Sequence, residues 1–153
     1  KIITMKMCEY ALENDLEALN YVPSELQTDE LVIPHLEKNG FIIRFIKNQT
    51  EKMCYTALKN RPKSLQYIRN QTHAMCMFAI NLDYSALYQV TNQTPELCMA
   101  SVQKNALAMI EIKNHELELC LHCIVLNSKA LTYIRNFDVK KKCEYLLEQI
   151  KVQ

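Results

Sequence analysis

An all-α solenoid of short two-helix repeats is the fold that this sequence predicts, and three observations carry the prediction. Thr50, Thr72 and Thr94 stand 22 residues apart, each directly after Asn-Gln. Cys54, Cys76, Cys98 and Cys120 keep the same spacing. The 153 residues contain a single glycine, and they are rich in Leu, Met, Ala, Glu, Lys and Gln, which favour helix. Self-similarity at a short fixed period is the signature of a stacked array, in which each unit buries its apolar face only against its neighbours.

Copies of the unit open at Thr4, Thr28, Thr50, Thr72, Thr94 and Glu116, with a partial seventh after Asp138, so residues 1–153 form one repeat domain. Numbered from the opening Thr, apolar residues fall at positions 4, 5, 8 and 9, and again at 15, 16 and 19. Spacings of three and four place each set on one helical face. The copy at Thr50 shows both sets, Met53, Cys54, Ala57 and Leu58, then Ser64, Leu65 and Ile68.

The phase breaks between the sets, where Asn or Asp recurs at position 11 or 12: Asn14/Asp15, Asn39, Asn60, Asp83, Asn105 and Asn127. That is turn chemistry or the N-cap of a second helix. Each unit therefore reads as helix A of about nine residues and helix B of about eight, both too short to persist unless stacked. Thr at position 1 caps helix A, with Pro95 after Thr94 in the first turn, and Pro62 fits the first turn of a helix B.

The copies depart from the rule at both ends. Val22-Pro23-Ser24-Glu25 lengthens the first copy by two residues, and the second carries Val32 in the cysteine slot, His35 at position 8 and Pro34 inside helix A. An interior proline removes a backbone hydrogen bond and kinks a helix, so a bent join between these copies is expected. At the other end, residues 138–153 read as a capping helix whose apolar face is Cys143, Leu146, Leu147 and Ile150.

Composition narrows the function classes. Eighteen Lys and Arg against 17 Asp and Glu leave no overall field to draw nucleic acid or an anionic membrane. No apolar run approaches about 18 residues, which argues against a membrane span. No signal peptide is visible, and the opening at Lys1 is compatible with a fragment or a mature form. Of seven cysteines, Cys8, Cys54, Cys76, Cys98 and Cys120 share position 5. Helices stacked at roughly 8–10 Å hold equivalent residues too far apart for disulfides. Free buried cysteines in a reducing, cytoplasmic compartment are the expectation.

The unit Thr-x-x-Met/Leu-Cys-x-x-Ala-Leu-x-x-Asn-x-x-Ala-Leu-x-Tyr-Ile-x-Asn-Gln, clearest between Lys47 and Thr72, resembles short repeats in proteins of unknown function encoded by large DNA viruses of amoebae. Related domains occur in some bacteria. The likeness covers roughly residues 4 to 137, with a poorer fit in the copies opening at Thr28, which lacks the Cys, and at Glu116, which lacks the Thr. It implies a helical repeat scaffold in the cytoplasm of an infected cell, and it transfers no catalytic residue.

Four candidate sites remain. Asn48, Asn70 and Asn92 each open a glycosylation sequon, but its Thr is wanted as a cap, and capping also accounts for Thr4 and Thr28, which lack the sequon. Cys120-Leu121-His122-Cys123 with His115 suggests a metal, yet no second Cys-x-x-Cys exists and both cysteines occupy core positions, so no metal or cofactor is expected. Lys47, Arg69, Lys113 and Arg135 share position 20, where they either bind phosphates or acidic peptide or complement a helix dipole. Phe45, Tyr67 and Tyr133 share position 18, with Tyr88 and Arg44 at position 17. Aromatic side chains on such a face anchor partners or pack as core rim.

Arg44, Lys47, Tyr67, Arg69, Tyr88, Lys113, Tyr133 and Arg135 are thus the candidate binding residues, all on the helix B face. His35, His73, His115 and His122 fall at unrelated repeat positions, and no nucleophile stands beside a base. The expectation is a non-enzymatic scaffold for a protein or peptide. The alternatives are an RNA- or DNA-binding array, in which basic and aromatic side chains engage a single strand, or a structural element of a larger assembly.

Overall fold

Two side-chain caps recur along the repeats of the computed structural model, which describes residues 3–151. The hydroxyl oxygens of Thr28, Thr50, Thr72 and Thr94 accept from the N–H three residues on, at 3.2–3.4 Å. Ten-residue helices follow: α2 (Asp29–Lys38), α3 (Glu51–Asn60), α4 (His73–Leu82) and α5 (Pro95–Lys104), flanked by α1 (Met5–Asn14) and α6 (Leu117–Leu126). Thr4 departs from the expectation, because its side chain caps nothing, and neither does that of Glu116.

The second cap sits at position 12. Asp15, Asn39, Asp83, Asn105 and Asn127 adopt an extended backbone, and each side-chain oxygen accepts from the N–H two residues on. Arg61 holds this place in the Thr50 copy with no side-chain cap, ahead of Pro62, whose ring supplies the first-turn geometry instead. Asn60 is therefore no cap. Its amide bridges to the preceding repeat, accepting from Gly40 N at 2.8 Å and donating to Glu37 O at 2.7 Å.

Helix B differs from the expected eight-residue α-helix. It is a six-residue 3₁₀ helix in every copy: Leu16–Tyr21, Gly40–Phe45, Pro62–Tyr67, Tyr84–Gln89, Ala106–Glu111 and Ser128–Tyr133. A ten-residue α-helix and extended residues on both sides leave only six positions of the 22. At about 2.0 Å rise per residue these six reach about 12 Å, as far as eight α-helical residues would. Position 19 then closes each 3₁₀ helix, as where Ile68 N donates to Leu65 O at 3.1 Å.

No strand occurs among the described residues, and the fold is an all-α helical repeat arrangement. The chain divides into two compact units, Lys1–Met75 and Cys76–Gln153. In the first, α2 packs on α3, while the 3₁₀ helix Gly40–Phe45 lies between Leu16–Tyr21 and Pro62–Tyr67. In the second, α5 packs on α6 and α6 on α7 (Phe137–Lys151), with Tyr84–Gln89, Ala106–Glu111 and Ser128–Tyr133 in a row alongside.

Each unit thus buries its core between an α layer and a 3₁₀ layer. Position 5 is buried throughout, at Cys8, Val32, Cys54, Cys76, Cys98 and Cys120, and so are Leu65, Leu87 and Met109 at position 16.

Position 13 of one repeat meets position 8 of the next at close range. Ser101 Oγ donates to Tyr84 O at 2.7 Å. At the corresponding join in the first unit stands the chain's one glycine, Gly40, where an added Cβ would collide with the Ala57 carbonyl. Backbone lies on both sides, so relief requires moving α3. Gly40→Ala is expected to lower stability by about 1–3 kcal/mol through overpacking, read as a lower denaturant midpoint at unchanged helical signal.

At both ends the structure adds detail to the sequence pattern. Helix α2 runs unbroken past the exposed Pro34, and the two-residue insertion forms its own 3₁₀ turn, Ser24–Leu26. Helix α7 opens at Phe137 rather than 138, because Asn136 caps it by accepting from Val139 N at 3.2 Å. Of its expected apolar face, Cys143 is buried and Leu147 half-buried, whereas Leu146 and Ile150 are exposed. Residues 152–153 of the expected 138–153 helix lie outside the described residues.

Candidate functional site

The turns between repeats carry a side-chain device that the sequence reading passed over. Thr28, Thr50, Thr72 and Thr94 each follow a glutamine, and the amides of Gln27, Gln49 and Gln93 tie one repeat to the next. Gln49 Nε2 donates to Ile43 O at 3.1 Å and to Tyr67 O of the following repeat at 2.8 Å, while its Oε1 accepts from Arg69 N at 3.0 Å. Gln93 repeats this with Leu87 O, Glu111 O and Lys113 N, at 2.9, 2.9 and 2.8 Å. Gln27 reaches Leu19 O, Val22 O and Phe45 O and accepts from Lys47 N. A primary amide suits this place because it offers two donors and an acceptor at once.

The cations at position 20 stand on these same turns. Arg69 donates its guanidinium to Lys47 O, Lys113 Nζ donates to Val90 O at 2.6 Å, and Arg135 donates to Ile112 O at 3.2 Å. Each satisfies a carbonyl left open at the end of the preceding 3₁₀ helix. In the second unit Lys113 and Arg135 line one groove with Asn114, His115 and Asn136. Arg44 is also engaged, bonded to Glu17 at 2.9 Å and lying 4.5 Å from the centroid of the Phe45 ring.

The aromatic candidates separate into two kinds. Tyr67 is half-buried and meets Phe41 edge-on, with ring centroids 6.0 Å apart. Tyr133 is half-buried as well. Tyr88 is 62% exposed. Tyr84–Gln89 packs beside Ala106–Glu111, and residues three apart eclipse on a 3₁₀ helix, so Leu107 and Ile110 share one row. They are 38% and 37% exposed. With Tyr88 at the position matching Ile110 in the adjacent repeat, the second unit presents a small apolar patch on its 3₁₀ layer. Sequence reasoning found Tyr88 but missed Leu107 and Ile110, although positions 14 and 17 lie outside the apolar set at 15, 16 and 19.

His115 takes the place of glutamine at the last turn and copies its bonding. Its Nδ1 accepts from Arg135 N at 3.1 Å, and its Nε2 lies 3.0 Å from Met109 O. A carbonyl only accepts, so the proton resides on Nε2 and the ring is neutral. Burial pushes its pKa down from the ordinary 6.5, and the Arg135 charge adds to this against the two carbonyl contacts. A second proton on Nδ1 would break the bond from Arg135 N. Above about pH 6.5 the ring is neutral in the folded and unfolded chains alike and costs nothing. Below it the unfolded chain takes up the proton first, so stability falls as the pH drops through the folded-state pKa. Between pH 7 and 5, His115→Gln is expected to lose less stability than the parent, measured by urea midpoints; equal losses would contradict the bonding described. His35 contributes an acid loss of the same sign in both proteins, because burial depresses its pKa too.

All seven cysteines are free and buried. Desolvation raises their thiol pKa values, to about 11 at Cys98 and Cys120 and about 12 at Cys123, where Cys98 and Cys120 add to it. Thiols so placed are neither nucleophiles nor ready metal ligands. Among the described residues no three His, Cys, Asp or Glu side chains are grouped to hold a metal ion. In the native protein at about pH 8, a chromogenic disulfide reagent is expected to titrate none of the seven, and all seven after unfolding.

No helix among the described residues is long and apolar enough to cross a membrane. No protein-family model matches the sequence, and no curated protein or solved structure is significantly similar to it.

Proposed function

We propose that this chain is a non-enzymatic helical repeat module that binds a protein or peptide through its 3₁₀ layer. The observation behind this reading is the exposed patch of Tyr88, Leu107 and Ile110. The core is complete without these side chains, and exposed aromatic and aliphatic groups on a rigid face are the usual anchors of a partner. Lys113 and Arg135 rim the next turns and supply charge at the edge of the contact. A nucleic-acid partner is the weaker reading, since Arg69, Lys113 and Arg135 already donate to carbonyls. The resemblance to repeats of amoebal viruses suggests the host cytoplasm as the place of action.

Affinity capture from lysate, with and without nuclease, tests this by comparing the parent with a Tyr88→Ser, Ile110→Ser variant. A protein retained after nuclease and lost from the variant is the expected result. A capture that vanishes with nuclease, or one indifferent to the variant, would overturn it.

A further inference from the structure

Lys113 and Arg135, both in the second unit, are each held at two points. Gln93 accepts from Lys113 N at 2.8 Å and His115 from Arg135 N at 3.1 Å, while the charged heads donate to Val90 O and Ile112 O. Side chains fixed in this way have little freedom left to lose when something binds them. Each head spends one N–H on its carbonyl. An ammonium has three donors and a guanidinium five, so most of their donors remain.

Both residues are exposed, and neither forms an ion pair among the described residues. They line one open groove with Ile112, Asn114, His115 and Asn136, and no carboxylate lines it. Glu116, just beyond the first turn, is engaged by Asn114, whose Nδ2 donates to it at 2.8 Å. The matching groove of the first unit, lined by Lys47 and Arg69, contains Glu51 as well. In the second unit Leu117 takes the place of that glutamate. The groove there is therefore positive and lacks an anion of its own.

Val90 and Ile112 close neighbouring 3₁₀ helices at equivalent positions. The two charges anchored on their carbonyls thus stand one repeat apart, roughly 8–10 Å. In a polyproline II strand three residues advance about 9 Å and bring the side chain back to the same side. An extended chain with a carboxylate on every third residue matches both cations as it crosses the repeats. A nucleic-acid strand carries a phosphate at every residue and would use a longer row of cations, but position 20 of the preceding copy is Thr91.

We propose that this groove binds an acidic peptide segment in extended form, with one carboxylate on Lys113 and a second, three residues along, on Arg135. Resting on the reading of the 3₁₀ layer as a partner surface, this gives the partner its charge. Ile110 of the apolar patch stands three residues before Lys113, so one chain can supply both the apolar anchor and the acidic segment.

The blocked peptide acetyl-Asp-Ala-Ala-Asp-amide, titrated into the isotopically labelled full chain at low ionic strength, tests the site through amide shifts. Saturable shifts at Lys113, Asn114, Arg135 and Asn136 are expected, and they weaken with added salt. Replacing either aspartate by alanine, or placing the two side by side, is expected to weaken binding about fivefold. Arg135→Gln is expected to do the same, and Arg135→Lys, which keeps the charge, to recover most of the binding. Circular dichroism checks the fold of each variant, and if Arg135→Gln does not fold the peptide series decides alone. The Tyr88→Ser, Ile110→Ser variant is expected to bind this peptide like the parent, so a failure of the patch and a failure of the groove are told apart. No saturable shift at these turns, equal affinity across the peptides, or a folded Arg135→Gln that binds like the parent would overturn the inference. So would an oligothymidine that binds these turns more tightly than the peptide.

Discussion

Gln93→Leu is expected to cost about 3 kcal/mol and to do so without removing any core volume. The substitution leaves Leu87 O, Glu111 O and Lys113 N without their partner. A buried polar group left unsatisfied costs about 1–3 kcal/mol, and the lower end applies here because Gln93 is only half-buried and water can reach the turn. The change should appear as a lower urea midpoint. The informative companion is Gln93→His. Imidazole supplies one acceptor and one donor, and the chain itself uses it at the equivalent turn, where His115 serves Arg135 N and Met109 O. Gln93→His is therefore expected to retain more stability than Gln93→Leu. If both variants were as stable as the parent, the amides would be bystanders to the stacking of apolar faces.

Cys98→Asp is expected to be more damaging still, at least about 4 kcal/mol, enough to unfold a marginally stable unit. Cys98 is 1% exposed in α5, and the rise of its thiol pKa to about 11 reports how strongly the site opposes charge. Cys98→Ala keeps a small apolar group there and is expected to cost only about 1 kcal/mol. The contrast separates burial from chemistry. A catalytic, redox or metal-binding cysteine would make the two substitutions equally harmful to activity and unequal in stability, whereas a packing cysteine ranks them by stability alone. Loss of helical signal in Cys98→Asp with a native-like Cys98→Ala is the expected outcome.

These two sites also mark how far the sequence could be read. The cysteines were legible as core because they share one position and one helical face. The Thr and Asx caps were legible because a cap bonds within three residues of itself. Gln93 and its equivalents recur before Thr28, Thr50, Thr72 and Thr94, so the signal was present. Its meaning was not, since the bonded groups lie up to 20 residues away and only stacking brings them near. The same holds for Lys113 and Arg135, whose carbonyl partners are 23 residues back. The 3₁₀ form of helix B was hidden for a different reason. Three apolar positions in six residues fit periods of 3.0 and 3.6 alike, and under either one Leu107 and Ile110, at positions 14 and 17, lie outside the buried set at 15, 16 and 19. Ile150 shares the stripe of Cys143, seven residues on, and is nonetheless 70% exposed, because an apolar period alone does not say how far along a helix the packing extends.

The function proposed above depends on a rigid 3₁₀ layer, and that rigidity rests on the turns. Amide hydrogen exchange at Lys47, Arg69, Lys113 and Arg135 tests this most directly. These four residues are exposed and lie outside every helix, so as ordinary turn residues their amides would exchange freely. Each instead donates to Gln27, Gln49, Gln93 or His115. Protection comparable to that of the α-helical amides is the predicted result, with Lys113 alone losing it in Gln93→Leu. Exchange at the rate of free turn amides in the parent protein would contradict the account.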